Sequence, residues 1–193
     1  DLKFINENLK NKVIVVEKPL FEKNYIFKNK RNFIYVGYNL RFHPVLKKIK
    51  SIVSNRKIYS INAECFSNLI NWRKDRDYKK TSSAKKSSGG GVILDLSHEF
   101  DYISWIFEKE LIPTFKIFDK LSDLKIETED FLILNAKINK DIIVNILLKY
   151  YSFINSRKIL IFGKNLSIKG DLLKNQLTVV YKNKIKRYNY KNF

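Results

Sequence analysis

Between Pro113 and Tyr190 the chain offers one strand after another, and that run sets the fold it can adopt. Five segments follow in order: PTFKIFDKLSD, TEDFLILNAKIN, IIVNILLKYYS, RKILIFGKNLSIKG and NQLTVVYKNKIKRYNY. Turn-forming residues fall at Asn139–Asp141, Asn155–Arg157, Gly163–Asn165 and Gly170–Asp171, a spacing that suits antiparallel hairpins. Ile58 to Phe66 alternates as a further strand, although neither of its sides is purely apolar. The expectation is a mostly antiparallel open sheet of about six strands.

A helix is available to cover that sheet. The stretch from Ser87 to Phe107, SSGGGVILDLSHEFDYISWIF, joins a triple glycine to a two-faced helix predicted over Val92–Phe107. At 100° per residue Val92, Leu96, Phe100, Ile103 and Phe107 form one apolar stripe, and Asp95, His98, Asp101 and Tyr102 lie opposite. Leu94 and Trp105 also lie on the second face, so something other than bulk water should cover it, such as a substrate or a second domain. Asp95 and His98, at i and i+3, can share one ligand, and an imidazole held by a carboxylate carries protons near neutral pH. The alternative is a structural histidine. His98-Glu99 begins like a zinc-binding HExxH helix, but Tyr102 stands where the second ligand belongs, so no metal site is expected. The glycines form neither a P-loop nor a dinucleotide fingerprint. They would let a ligand approach backbone N–H groups at the helix start, or act as a hinge.

The N-terminal part has a different rhythm. LKFINENLKNK followed by VIVVEKPLFEK reads as helix, short turn and apolar strand, which is half of a parallel βαβ unit, and NFIYVGYNLRF reads as a second strand with Gly37 in its middle. FEKNYIFKN between the strands is amphipathic. Glu17, Lys18 and Pro19 stand at the carboxyl end of the first strand, where open α/β sheets place ligands. His43 precedes a proline and reads as the cap of the helix PVLKKIKSIVSN rather than as a catalyst. Residues 71–88 read as a long loop whose large aromatics imply order. Arg73, Arg76 and Tyr78 there could face an anionic or sugar-like ligand, or could simply be solvated.

The fold class is therefore α+β: the tail of a Rossmann-type α/β domain at 1–42, then an open-sheet domain with helices on one face at 43–193. With 193 residues the chain is long enough for one substantial core and a fragment, not for two full domains. The formal charge of +19 would suit nucleic acid, a membrane surface or acidic metabolites. The lysines are spread along the chain rather than gathered on one face, which argues against a nucleic-acid footprint. No apolar run reaches the length of a membrane helix and no signal peptide opens the chain, so the expected compartment is the cytoplasm and no membrane partner is expected. A single cysteine, Cys65, excludes an intrachain disulfide and reads as a buried thiol. Methionine is absent even at residue 1 and the chain opens inside a helix pattern, so a truncated N-terminus is expected.

Four stretches in order, VIVVEKPL at 13–20, VGYNLRFHP at 36–44, NWRKDRDY at 71–78 and GGGVILDLSHEFDYISWIF at 89–107, resemble the glucose-fructose oxidoreductase, inositol dehydrogenase and MocA-like family of NAD(P)-dependent sugar oxidoreductases. The branch they look most like is that of bacterial surface-carbohydrate and sialic-acid-like sugar pathways. The resemblance implies hydride transfer from a sugar or sugar-derivative hydroxyl. Lys18 would polarise the reacting hydroxyl, His98 would exchange its proton and Asp95 would assist, although in the family the aspartate commonly precedes the histidine by four residues and here by three. It implies substrate contacts from Asn39, Arg41, Trp72, Arg73, Arg76, Tyr78, Gly90, Gly91, Asp95 and His98, cofactor contacts from Glu17, Lys18 and Pro19, and a cis bond before Pro19. NAD or NADP would be the cofactor of the complete protein, a sugar or sugar derivative its substrate, and a homo-oligomer its form, through the open sheet. The family's opening strand, glycine-rich turn and helix are missing, so the fragment alone is expected to be inactive. A non-catalytic binding or oligomerisation module is the alternative.

Overall fold

The computed structural model describes residues 2–21, 28, 31–72, 75–139 and 141–191. Its contacts divide the chain into two compact units, Asp1–Asn39 and Leu40–Phe193. In the first, helix α1 (Leu2–Asn8) precedes strands β1 (Val13–Val16) and β2 (Phe33–Val36), which pair in parallel from Val13 against Phe33 to Val16 against Val36. The parallel half-unit read from the sequence is present, with β2 ending before Gly37 rather than running through it. The peptide bond from Lys18 to Pro19 is cis, as the resemblance implied. The amphipathic segment after Phe21 lies outside the described residues.

The second unit is an eight-stranded sheet in the order β10-β9-β8-β7-β3-β6-β5-β4. The strands are β3 (Ile58–Asn68), β4 (Leu111–Asp119), β5 (Phe131–Ile138), β6 (Ile142–Lys149), β7 (Tyr151–Gly163), β8 (Leu166–Asp171), β9 (Gln176–Tyr181) and β10 (Lys184–Asn189). Only the central β3–β6 pair is parallel; the other neighbours run antiparallel. The expected six strands become eight because the last two sequence segments are each a complete hairpin, turning at Lys164–Asn165 and at Lys182–Asn183. Asn165 and Lys182 supply the left-handed conformations, with φ of 56° and 47°. The turn expected at Asn155–Arg157 does not form. There β7 runs on, and its extra residues bulge out: Phe66 pairs with Ser156 and Asn68 with Tyr151, so a step of two on β3 faces a step of five on β7. Phe153 and Ile154 ride on that bulge, 91% and 78% exposed.

Helix α2 (Pro44–Val53), the short α3 (Val92–Asp95) and α4 (His98–Phe107) pack on one face of the sheet. The alternation of the strands explains which face. Ile61, Ala63 and Cys65 of β3, Val144, Ile146 and Leu148 of β6, and Ile159 and Ile161 of β7 all point inward and are buried. Each large aliphatic among them contributes roughly 1.5–3 kcal/mol by leaving water. His43 caps α2 as read: the Val45 N–H donates to its Nδ1 at 3.2 Å.

The predicted single helix from Val92 to Phe107 is broken at Leu96–Ser97. In α4 the buried positions are Glu99, Tyr102, Ile103 and Ile106, spaced i, i+3, i+4, i+7, so Tyr102 lies in the core rather than on the outer face expected for it. The expected outside cover for Trp105 is in part internal: Lys50 of α2 lies 4.7 Å from its ring centroid.

Candidate functional site

Two of the three glycines are required by close packing, and Gly89 takes a left-handed φ of 66°. A Cβ on Gly90 would come within 2.2 Å of the Ser82 carbonyl oxygen, and one on Gly91, at φ 113°, within 2.3 Å of the Glu129 carboxylate. The same carboxylate explains the approach. Val92 N–H donates to the Glu129 carbonyl at 3.0 Å and Ile93 N–H to Glu129 Oε1 at 3.3 Å. The start of α3 is thus capped from within the chain, which corrects the expectation of N–H groups left for a ligand.

Asp95 ends α3 and His98 begins α4, so the break lies between the two residues that the sequence singled out. Asp95 is held by Tyr150, a residue the motif reading missed. The Tyr150 hydroxyl lies 2.5 Å from Asp95 Oδ2 and 2.9 Å from the Gly91 carbonyl oxygen, so one phenolic proton serves two acceptors. Burial, then the charge of Asp95, pushes the phenol far above its ordinary pKa and keeps that proton in place. Trp72 sets its ring edge-on against Tyr150, centroids 5.1 Å apart at 85°. Gly91, Asp95 and Trp72 are thereby brought to one aromatic side chain. Its parity with Val144, Ile146 and Leu148 along the strand was the signal that it faces inward.

His98 is half-buried, and two residues that follow it in α4 are tied to other elements. Glu99, wholly buried, receives a two-point ion pair from Arg157 of β7, Nε to Oε1 at 2.8 Å and Nη2 to Oε2 at 3.0 Å. Burial opposes the charge on Arg157, and the Glu99 carboxylate outweighs it, so the guanidinium stays charged. Burial followed by the charge of Glu99 likewise drives Tyr102 upward. Asp101, one turn beyond His98, takes the fork of Arg41, with Nε to Oδ2 at 2.9 Å and Nη2 to Oδ1 at 2.5 Å. Arg41 therefore reaches the helix that carries His98.

Trp72 and Leu96 share a cavity of 260 Å³ with Cys65, Ser67, Asn155 and Arg157. Tyr78 stands apart from that cavity, its hydroxyl accepting the Lys125 N–H at 3.2 Å, and Arg76 is exposed. Arg73 lies outside the described residues. Glu17, Lys18, Pro19 and Asn39 belong to the other unit, where Glu17 at the exit of β1 lies beside Gly37, its Oε2 3.3 Å from where a Cβ there would stand. Among the described residues no helix is long and apolar enough to cross a membrane, and no group of three His, Cys, Asp or Glu could hold a metal.

No family model and no curated protein matches the sequence. Solved structures do match in fold. A protein described as an oxidoreductase from Thermotoga maritima superposes with a TM-score of 0.77 at 16% identity, over 97% of this chain and 60% of its own. Levoglucosan dehydrogenase, solved with NADH and levoglucosan, gives 0.74 at 16% identity over 92% of this chain and 55% of its own. UDP-N-acetylglucosamine 3-dehydrogenase from Acidithiobacillus ferrooxidans gives 0.64 at 14% identity over 82% of this chain and 47% of its own. The chain spans between 47% and 60% of the length of these three proteins. Its eight-stranded sheet with helices on one face is the fold of the C-terminal sheet domain of the glucose-fructose oxidoreductase, inositol dehydrogenase and MocA-type enzymes.

Proposed function

We propose that this chain is the substrate-binding and proton-transferring part of an NAD(P)-dependent oxidoreductase acting on a hydroxyl of a sugar or sugar derivative, in bacterial surface-carbohydrate or sialic-acid-like sugar chemistry. The observation that carries the reading is the broken helix, which sets Asp95 and His98 on either side of a kink, with Gly91, Trp72 and Tyr150 packed at Asp95 and the Arg41–Asp101 pair one turn past His98. His98 would take up the proton of the substrate hydroxyl, and Lys18 would stabilise the developing charge on that oxygen. Trp72, Arg41, Arg73, Arg76 and Tyr78 would shape the sugar site, and Glu17, Lys18 and Pro19 would lie beside the nicotinamide.

The dinucleotide itself finds no cradle among the described residues. Its pyrophosphate needs a strand, a glycine-rich turn and free N–H groups at a helix start. Here Gly37 leads into a 3₁₀ turn, Asn39–Phe42, and the N–H groups after Gly91 belong to Glu129. These residues fit the substrate half of the reaction, and the activity is proposed for a protein in which a dinucleotide-binding fold accompanies them. The bare apolar side of the β1–β2 pair, Val13, Val15, Phe33 and Tyr35, supports this, since parallel strands are ordinarily covered on both faces. The open face of the large sheet is proposed to meet a second copy of the chain.

The test is His98→Asn in the complete protein, assayed by nicotinamide absorbance with sugars and nucleotide sugars. Loss of the proton acceptor should lower kcat about 10²- to 10⁴-fold with an unchanged melting temperature. A destabilised but fully active variant would refute the role of His98. A wild-type protein with no turnover that still self-associates would favour the non-catalytic module.

A further inference from the structure

Three turns meet at the end of the sheet where β3 begins, about 35 Å along that strand from the α4 end, at roughly 3.3 Å per residue. They are the α2–β3 connection, the β7–β8 turn and the β9–β10 turn. Backbone bonds lock them to one another: Lys164 N–H donates to the Lys57 carbonyl at 2.8 Å and Lys182 N–H to the Asn165 carbonyl at 3.1 Å. Between them lies a cavity of 680 Å³ lined by Arg56, Lys57, Lys164, Lys182, Lys184 and Tyr181, with three asparagines and no acidic residue. Its size falls within the range of ligand sites, about 300–1,000 Å³. The Arg56 guanidinium rests 5.4 Å from the Tyr181 ring centroid, which fixes one cation at the wall.

In the whole chain 38 Lys and Arg stand against 19 Asp and Glu, so a lining of five cations without an acid departs from the average surface. Among the described residues none of the five makes an ion pair. Like charges around one concavity repel, and a bound polyanion relieves that repulsion. The three asparagines add side-chain amide donors suited to phosphate oxygens.

We propose that this cavity is a binding site for a compact soluble polyanion carrying two or more phosphate groups. It is independent of the oxidoreductase reading, because none of its residues takes part in that site.

The probe is inorganic pyrophosphate, titrated calorimetrically at low ionic strength into the full-length protein. Lys164→Gln with Lys182→Gln removes two cavity charges while keeping both backbone bonds. Lys116→Gln with Lys137→Gln removes the same net charge from β4 and β5. The cavity pair should weaken pyrophosphate binding about tenfold or more and the control pair less than about twofold, since the Coulomb term falls with distance and solvent screening. Melting curves confirm that both pairs fold. Equal losses in the two pairs would reduce the cavity to diffuse attraction and overturn the proposal. So would a pyrophosphate site indifferent to the cavity pair, such as a dinucleotide site elsewhere in the protein. Absence of saturable pyrophosphate binding, with a DNA duplex held through the same lysines, would assign the surface to nucleic acid and equally overturn it.

Discussion

Replacing Glu99 by glutamine changes one atom type in the middle of the core, and the structure predicts a large effect. The carboxylate accepts two bonds from Arg157, and its residue is 0% exposed. An amide can accept only one of the two, and its NH₂ then confronts a guanidinium N–H. The Arg157 side chain, 20% exposed, keeps its charge without a counter-ion. Breaking one partner of a buried pair costs about 3–5 kcal/mol, because the penalty is the stranded charge rather than the lost attraction. For a domain of this size about 2–4 °C of melting temperature goes with each kcal/mol, so Glu99→Gln should melt roughly 6–20 °C lower. Replacing both partners with Met removes the stranded charge and should recover most of that loss. Thermal melts and urea titrations of Glu99→Met, Arg157→Met and the double Met variant close the cycle. If Glu99→Gln melts within about 2 °C of the parent, a shift worth no more than about 1 kcal/mol, the pair is not the anchor of α4 described above.

His43 accepts from Val45 N–H through Nδ1, so Nε2 carries the proton and donates to the Leu172 carbonyl at 3.2 Å; burial first, then the charge of Arg157, lowers its pKa below 6.5 against the smaller opposing effect of its hydrogen bonds. The unfolded chain then binds the extra proton more readily, so stability should hold above pH 6.5 and fall as pH drops from there towards the folded pKa. The slope is at most about 1.4 kcal/mol per pH unit, and His43→Asn, which keeps a cap acceptor, should lose it; an equal slope in that variant's urea midpoints would refute the assignment. For the open sheet face, proposed above to meet a second copy, Ile133, Leu147 and Leu160 line a cavity of 540 Å³ beside Glu64 and Lys158, so Leu147→Lys should shift the sedimentation-velocity distribution towards monomer, and an unchanged distribution would refute that interface.

What was legible in the sequence followed from periodicity. The alternation of Leu132, Leu134 and Ala136, or of Val144, Ile146 and Leu148, names the inner face because a strand has only two sides. Turn chemistry was less reliable. Asn155-Ser156 looks like a turn, yet β3 supplies a partner for the chain on both sides of it, and the backbone bonds of a central strand outweigh a local preference. The turn at Gly163–Asn165 was legible, whereas the one at Lys182–Asn183 was hidden because Lys182 adopts left-handed φ without a glycine in the turn. Asp95 and His98, and Lys18 in the other unit, were visible as motif residues. Tyr150 and Arg157 were not, because each meets its carboxylate across more than 50 positions of chain.

The spacing of Asp95 and His98 takes its meaning from that long-range partner. In an unbroken helix residues three apart lie on one face, and the pair would be a matter of helical phase alone. Here α3 ends at Asp95 and α4 starts at His98, with Leu96 and Ser97 in neither, so the two residues do not share one helix. Two anchors replace it. Tyr150 fixes Asp95 from the sheet, and Arg157, through Glu99, fixes the first turn of α4. Both anchors come from the same stretch of the sheet, the end of β6 and the bulged start of β7. The bulge separates the two anchors along the chain, since Tyr150 precedes it and Arg157 follows it. The three extra residues that break the pairing of β7 with β3 are therefore part of what positions Asp95 and His98, although they stand in a segment with no motif at all.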